Sequence, residues 1–420
     1  MEEEKKGKIA ISTTTSGTTT SSTPWPSNEV SQTLPPEASE IKNNEVWITL
    51  FDDAFKELPK QIQLSDIDEL MRKMESRYIE RPEFLKKKFS LDIILEFYRR
   101  LNFTSPGDAD LFFTVFGPGK YIDLIERPFE RFIFYEKLLI KIQKDDPKKY
   151  ESMHKGTPFF FMAWTAFEMG NYEKGLFYLD AAISEDKRAS PKQEGWLKLP
   201  GGELLTLRLS NHPGFGLRKK IETALKEQLN RFNRISGLPL IDIGLFIKKF
   251  VTPFYIDSLK TTLITSLYSF ILEFDDRYSE LKIRSSVGGS VEPFITHLFK
   301  GGLILETLLK HLYPKIAIPH RKKMGEDVEV LGDIFYETDF KIQFCVVESK
   351  AASLREIYDG ITANDIKTAF DTTARLRNTT GHNLIWQDVE DVLGNPEKYR
   401  KLFEQEVNAL LFIIERKFLR

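Results

Sequence analysis

The residues Arg377-Asn378-Thr379-Thr380-Gly381-His382 bring a permanent cation, a neutral hydrogen-bonding amide and a titratable imidazole within about one helical turn or so. Cleaving RNA without a metal calls for these groups: a cation on the phosphate as negative charge builds, and an imidazole near its working pKa to move the 2'-hydroxyl or leaving-group proton. Only RNA carries an internal 2'-oxygen nucleophile, so such a site would pass over DNA. The same residues also have a structural use. Asn378 and Gly381 are suited to ending a helix, with Arg377 and His382 facing solvent or its last carbonyls.

A second constellation points to metal chemistry. Asp339 stands nine positions before Glu348-Ser349-Lys350, which follows the apolar run Phe344-Cys345-Val346-Val347. This is the order in which restriction-like nucleases hold Mg²⁺ on two carboxylates and polarise water with a lysine. That fold needs several strands around the motif, whereas the flanks here read as helix. Gly117-Pro118-Gly119-Lys120 lacks the spacer and the Ser or Thr of a phosphate loop and reads as a helix-ending turn. Of six histidines, His297 and His311 fall on an apolar helical stretch, where partly buried amphipathic residues are expected rather than ligands. No metal or cofactor is expected, and the single Cys345 can neither close an intrachain disulfide nor ligate zinc alone.

The elements that must position these residues are helical. Apolar residues recur at helical spacing over 46–57, 65–78, 128–143, 215–232 and 253–274, and Ser90 is placed to cap a helix carrying Leu91, Ile94, Leu95, Tyr98 and Leu101. Phe159, Ala163, Gly170, Tyr172, Gly175, Leu179 and Ala182 place small and bulky residues as a tetratricopeptide-like helix pair over 157–186 needs them. A polar run from Arg277 to Ser290 suggests a boundary. Beyond it, a long apolar helix over 291–312, a helix over 364–377 and an amphipathic helix over 397–418 give an all-α bundle pattern. The expected layout is a Ser/Thr/Pro-rich tail over 1–44, a helical domain over 45–280 and a second over 285–420. Sixty basic against 62 acidic residues argue against bulk coating of nucleic acid, and 285–420 carries 18 basic against 20 acidic residues. No stretch is apolar enough to span a membrane and the first residues do not read as a signal peptide, so a cytoplasmic setting is expected.

The motif, with the long helix before it and an amphipathic helix after it, resembles the HEPN superfamily of all-α ribonuclease and nucleotide-associated domains. Its signature is R-x(4–6)-H with a polar residue after the arginine, met here by Arg377, Asn378 and His382 over 288–420. The resemblance implies a metal-independent endoribonuclease of toxin or antiviral-defence type. Arg377 would bind the scissile phosphate, His382 would act as general acid or base, and Asn378 would orient the phosphate. It also implies a homodimer through 285–420 that joins two motifs in one cleft. The tetratricopeptide-like half would be left for a protein partner. A non-catalytic helical interaction and dimerisation protein is the alternative, with the Mg²⁺ reading of Asp339, Glu348 and Lys350 behind it.

Overall fold

Helical apolar spacing becomes helix wherever a neighbour covers the apolar face. The computed structural model describes residues 128–190, 193–210, 214–257, 260–284, 290–312, 353–380 and 387–420, with Arg99, Phe113 and the pairs 336–337 and 342–343. Apart from the tail, which lies outside these residues, so do the expected helices over 46–57 and 65–78, the 117–120 turn, Asp339, Glu348, Lys350 and His382. The described residues belong to one compact unit, 58–420.

Helix α1 (Pro128–Asp145) buries Phe132, Tyr135, Leu138, Leu139 and Ile142 along one face and packs on α2 (Gly156–Glu168). Helix α2 doubles back into α3 (Tyr172–Ala189). Gly170 makes the turn at φ +74°, a left-handed conformation that a side chain disfavours, and Asn171 Oδ1 caps α3 by accepting the Lys174 N–H at 3.0 Å. A Cβ on Gly175 would lie 2.9 Å from the Phe167 ring, so the missing side chain sets the closeness of the hairpin. Residues 157–186 therefore form two antiparallel helices.

After α4 (Phe215–Ser236), a π-helical turn at Ile247–Val251 leads into α5 (Thr252–Ile256). The single helix expected over 253–274 is interrupted here: α6 (Thr261–Ile283) restarts beyond Lys260. The break is held from another element. The buried Lys187 of α3 donates to the Tyr255 carbonyl and, at 2.7 Å, to the Thr261 hydroxyl. Burial pushes its ammonium down to about 8. Helix α6 runs past Arg277 to Ile283, so the first half of the polar run expected to connect two domains is helix. It packs on α3 and also on α7 (Glu292–Leu312).

Helix α8 (Leu354–Asp359) starts in a capping box of Ser353 and Glu356. Helices α9 (Ile366–Thr380), α10 (Gln387–Leu393) and α11 (Pro396–Ile414) complete the bundle. Helix α11 is not one-sided as the sequence suggests. It is buried without interruption from Gln405 to Ile414, because α4, α6, α7, α9 and α10 all pack against it. The fold is all-α; extended pairing among the described residues is confined to Tyr336 opposite Gln343 and Glu337 opposite Ile342.

Helix α7 meets its neighbours through two adjacent glycines. A Cβ on Gly301 would stand 2.6 Å from the Phe270 ring of α6 and 2.7 Å from the Glu406 carboxyl of α11, and one on Gly302 would stand 2.6 Å from Arg377 Cβ of α9. Glycine inside a helix costs about 0.5–1 kcal/mol relative to alanine, whereas overpacking a close contact costs about 1–3 kcal/mol. The second effect wins here. Gly301→Ala and Gly302→Ala are each expected to lower the melting temperature, while Gly216→Ala, in a helical position with nothing within 4 Å, should raise it. Thermal unfolding followed by circular dichroism checks the pair; a rise in all three variants would overturn the close-contact reading.

Candidate functional site

Arg377 and Asn378 lie in the last turn of α9, which continues through the buried Thr379 and ends at Thr380. The Arg377 stem crosses α7 at Gly302, and its Nε donates to Glu306 Oε2 at 2.7 Å. Glu306 Oε1 is paired with Lys310 at 2.5 Å, one turn along α7. Burial alone would raise the Glu306 carboxyl; hydrogen bonds from Lys310 and Arg377 outweigh it and hold the carboxyl below its ordinary range. The Glu306 side chain is 10% exposed and that of Arg377 is 37% exposed, so the guanidinium is fixed at Nε by a nearly buried carboxylate and is itself partly exposed. A guanidinium held by a carboxylate on one edge is a directed clamp for an oxyanion. Its motif partner His382 comes two residues after the end of α9.

Glu306 escaped the sequence reading. Its visible signal is the i, i+4 spacing of Glu306 and Lys310 on the predicted long helix, which on a surface counts for little. The pair matters because burial and Gly302 bring Arg377 to the same carboxyl.

His297, expected to be partly buried, is wholly inside. Its Nε2 donates to the Phe270 carbonyl at 2.7 Å, and its Nδ1 accepts the Tyr399 hydroxyl at 2.6 Å. Its ring stacks on Phe270 and Phe403. Both ring nitrogens are satisfied by the neutral form, and burial pushes the imidazole down to about 3. His297 is core. His311 is exposed at the end of α7, with its ring near Phe254 and Phe418. On α3, Asp186 pairs with His154 at 3.0 Å beside Gly156, a contact that holds the base of the hairpin. Among the described residues no three His, Cys, Asp or Glu side chains converge as a metal site.

A carboxyl of opposite character lies next to this seam. Glu406 is fully buried against Gly301, and neither carboxyl oxygen has a hydrogen-bond partner among the described residues. Burial raises its pKa well above the ordinary value and so favours its protonated, neutral form. No protein-family model, curated protein or solved structure matches this chain.

The two buried groups set opposite pH dependences. His297 titrates at 6.5 when unfolded and at about 3 when folded, so its stabilising contribution is complete above 6.5 and is lost as pH falls towards 3. The slope is at most about 1.4 kcal/mol per pH unit. Glu406, raised on folding, contributes fully below 4.5 and loses that contribution as pH rises. Urea unfolding across pH should show stability falling between 6.5 and 3 in the parent and much less in His297→Gln. Glu406→Gln should gain on the parent from pH 4.5 to 8; a constant difference across that range would contradict a neutral buried acid.

Proposed function

We propose that the chain is a metal-independent endoribonuclease of HEPN type, with Arg377 as phosphate clamp, His382 as general acid or base and Asn378 as orienting group. The observation that carries this reading is Arg377 itself. It is the first residue of the motif, lies in the last turn of a helix and is fixed at Nε by the buried Glu306, with its side chain partly open to solvent. In the proposed reaction the 2'-oxygen attacks the adjacent phosphorus while its proton passes to a base. The 5'-oxygen leaves with a proton from an acid, giving a 2',3'-cyclic phosphate and a 5'-hydroxyl. Arg377 offsets the charge that builds on the phosphoryl oxygens. One motif supplies one imidazole, and two proton transfers are served by two. A homodimer through 285–420 would provide the second His382, leaving the α2–α3 hairpin region for a protein partner. Such an enzyme fits a toxin or antiviral-defence effector.

The non-catalytic alternative draws on the same contact: an Arg377–Glu306 pair across the α7–α9 seam is also what a helical interaction module would use to fix two helices. Activity separates the two. Single-stranded RNA should be cut in excess EDTA to products ending in 2',3'-cyclic phosphate. Arg377→Ala and His382→Ala should each lose about 10²–10⁴-fold in rate. Arg377→Ala should keep its fold, since Lys310 still neutralises Glu306. No cleavage by the parent would favour the interaction protein. Cleavage that needs Mg²⁺ and disappears in Glu348→Ala would favour the restriction-like reading.

A further inference from the structure

Two open depressions of about 270 Å³ each lie along α6, and they differ in sign. The one beneath the α2–α3 turn is lined by Glu173, Glu273, Asp276 and Glu280 with one arginine, Arg277. The other, between α5, α6 and α7, has no carboxylate in its lining. Its cationic group is Lys260, since the ammonium of Lys300 is bonded to Glu273 of the acidic depression at 2.7 Å; its floor is Phe254, Leu303 and Ile304, and the exposed imidazole of His311 lies at its edge. An apolar floor, a ring and the Lys260 ammonium beside a space of this size suit a ligand that is flat and apolar at one end and anionic at the other.

The surroundings extend this character. His311 lies 5.2 Å from the Phe254 ring and is parallel, within 11°, to the Phe418 ring at 6.2 Å. Phe418 belongs to a π-helical turn, Glu415–Leu419, that packs on the π-helical turn Ile247–Val251 through Phe250. These turns carry Arg416-Lys417 and Lys248-Lys249, which are far apart in sequence. Lys260 spends one contact on Asp257 at 2.5 Å, and an ammonium has three donors. Rings interleaved with cations are the features on which single strands of nucleic acid stack and lie.

We infer that the α5–α6–α7 groove is a subsite for one nucleotide of an RNA strand, with its base against His311, Leu303 and Ile304 and its phosphate at Lys260. This assignment rests on the ribonuclease reading and deepens it, because the groove is distinct from the Arg377 site. Glu306, which holds Arg377, precedes His311 on α7 by five residues, about 7.5 Å of helix rise and about 140° of turn, so a strand that wraps around α7 would occupy both places. A labelled 2'-O-methyl RNA strand, which lacks the nucleophile and stays intact, tests binding apart from catalysis. By fluorescence anisotropy the full chain should bind it. Leu303→Glu and His311→Ala, both at exposed positions, should weaken binding about tenfold or more with unchanged melting temperature. Equal affinity in Leu303→Glu, or no binding by the parent, would overturn the subsite. Adenosine monophosphate bound as tightly as the strand would overturn the assignment to RNA in favour of a free nucleotide. A parent that binds the strand but leaves unmodified RNA uncut sinks the ribonuclease reading and keeps the groove.

Discussion

The close approach at Gly301 and Gly302 is the constraint on which the C-terminal half is built. Successive helical positions turn by about 100°, so two adjacent glycines open two different faces of α7. One face admits Phe270 and Glu406, from α6 and α11; the other admits the stem of Arg377, from α9. Side chains at both positions would push α7 away from three helices. With α7 seated, Glu306 comes within reach of Arg377, and the aromatic stack of Phe270, His297, Phe403 and Phe274 closes on the other side. Packing and the candidate site are one geometry here.

That closeness has a polar consequence. Helix α11 is surrounded, so Gln405, Glu406 and Asn408 are carried into the interior by the apolar residues between them. His297 shows how such a group is accommodated, with a carbonyl and a hydroxyl for its two nitrogens. Glu406 and Asn408 have no such partners among the described residues. A neutral acid costs far less to bury than a carboxylate, and burial accordingly raises the Glu406 pKa. Lys187 is the intermediate case: buried, lowered by desolvation, yet kept useful because a broken helix offers it a carbonyl.

How much was legible in the sequence follows from how local each determinant is. The 157–186 hairpin could be read because Gly170, which makes the turn, and Gly175, with the Phe167 ring against it, lie within one short segment, and Glu292–Leu312 because its apolar period is unbroken. The break at Ile256 could not, since the group that bonds its freed carbonyl is a lysine on another helix. The sidedness of α11 was misjudged because a period reports which face is apolar and says nothing about how many neighbours will cover the rest. In the motif, Arg377 and Asn378 were legible as residues at a helix end. The buried partner was not, because a Glu306–Lys310 spacing looks like any solvated pair. The near balance of charge over 285–420 also says nothing of Lys260, which lines the groove beside His311 from outside that range.

The Glu306 contacts bear on how an arginine can be both a structural pin and a ligand for phosphate. A buried carboxylate with a single cationic partner resists giving it up, because the charge left behind would be unpaired in a poorly solvated site. Glu306 has two partners on different oxygens, Lys310 on Oε1 and Arg377 on Oε2. In the proposed ribonuclease, an oxyanion drawing on the Arg377 guanidinium would leave Lys310 to neutralise the carboxylate, so the seam would not have to open. In that proposed reaction, a guanidinium fixed in this way would meet the phosphate with little reorganisation, which is what preorganised electrostatic stabilisation requires of a clamp.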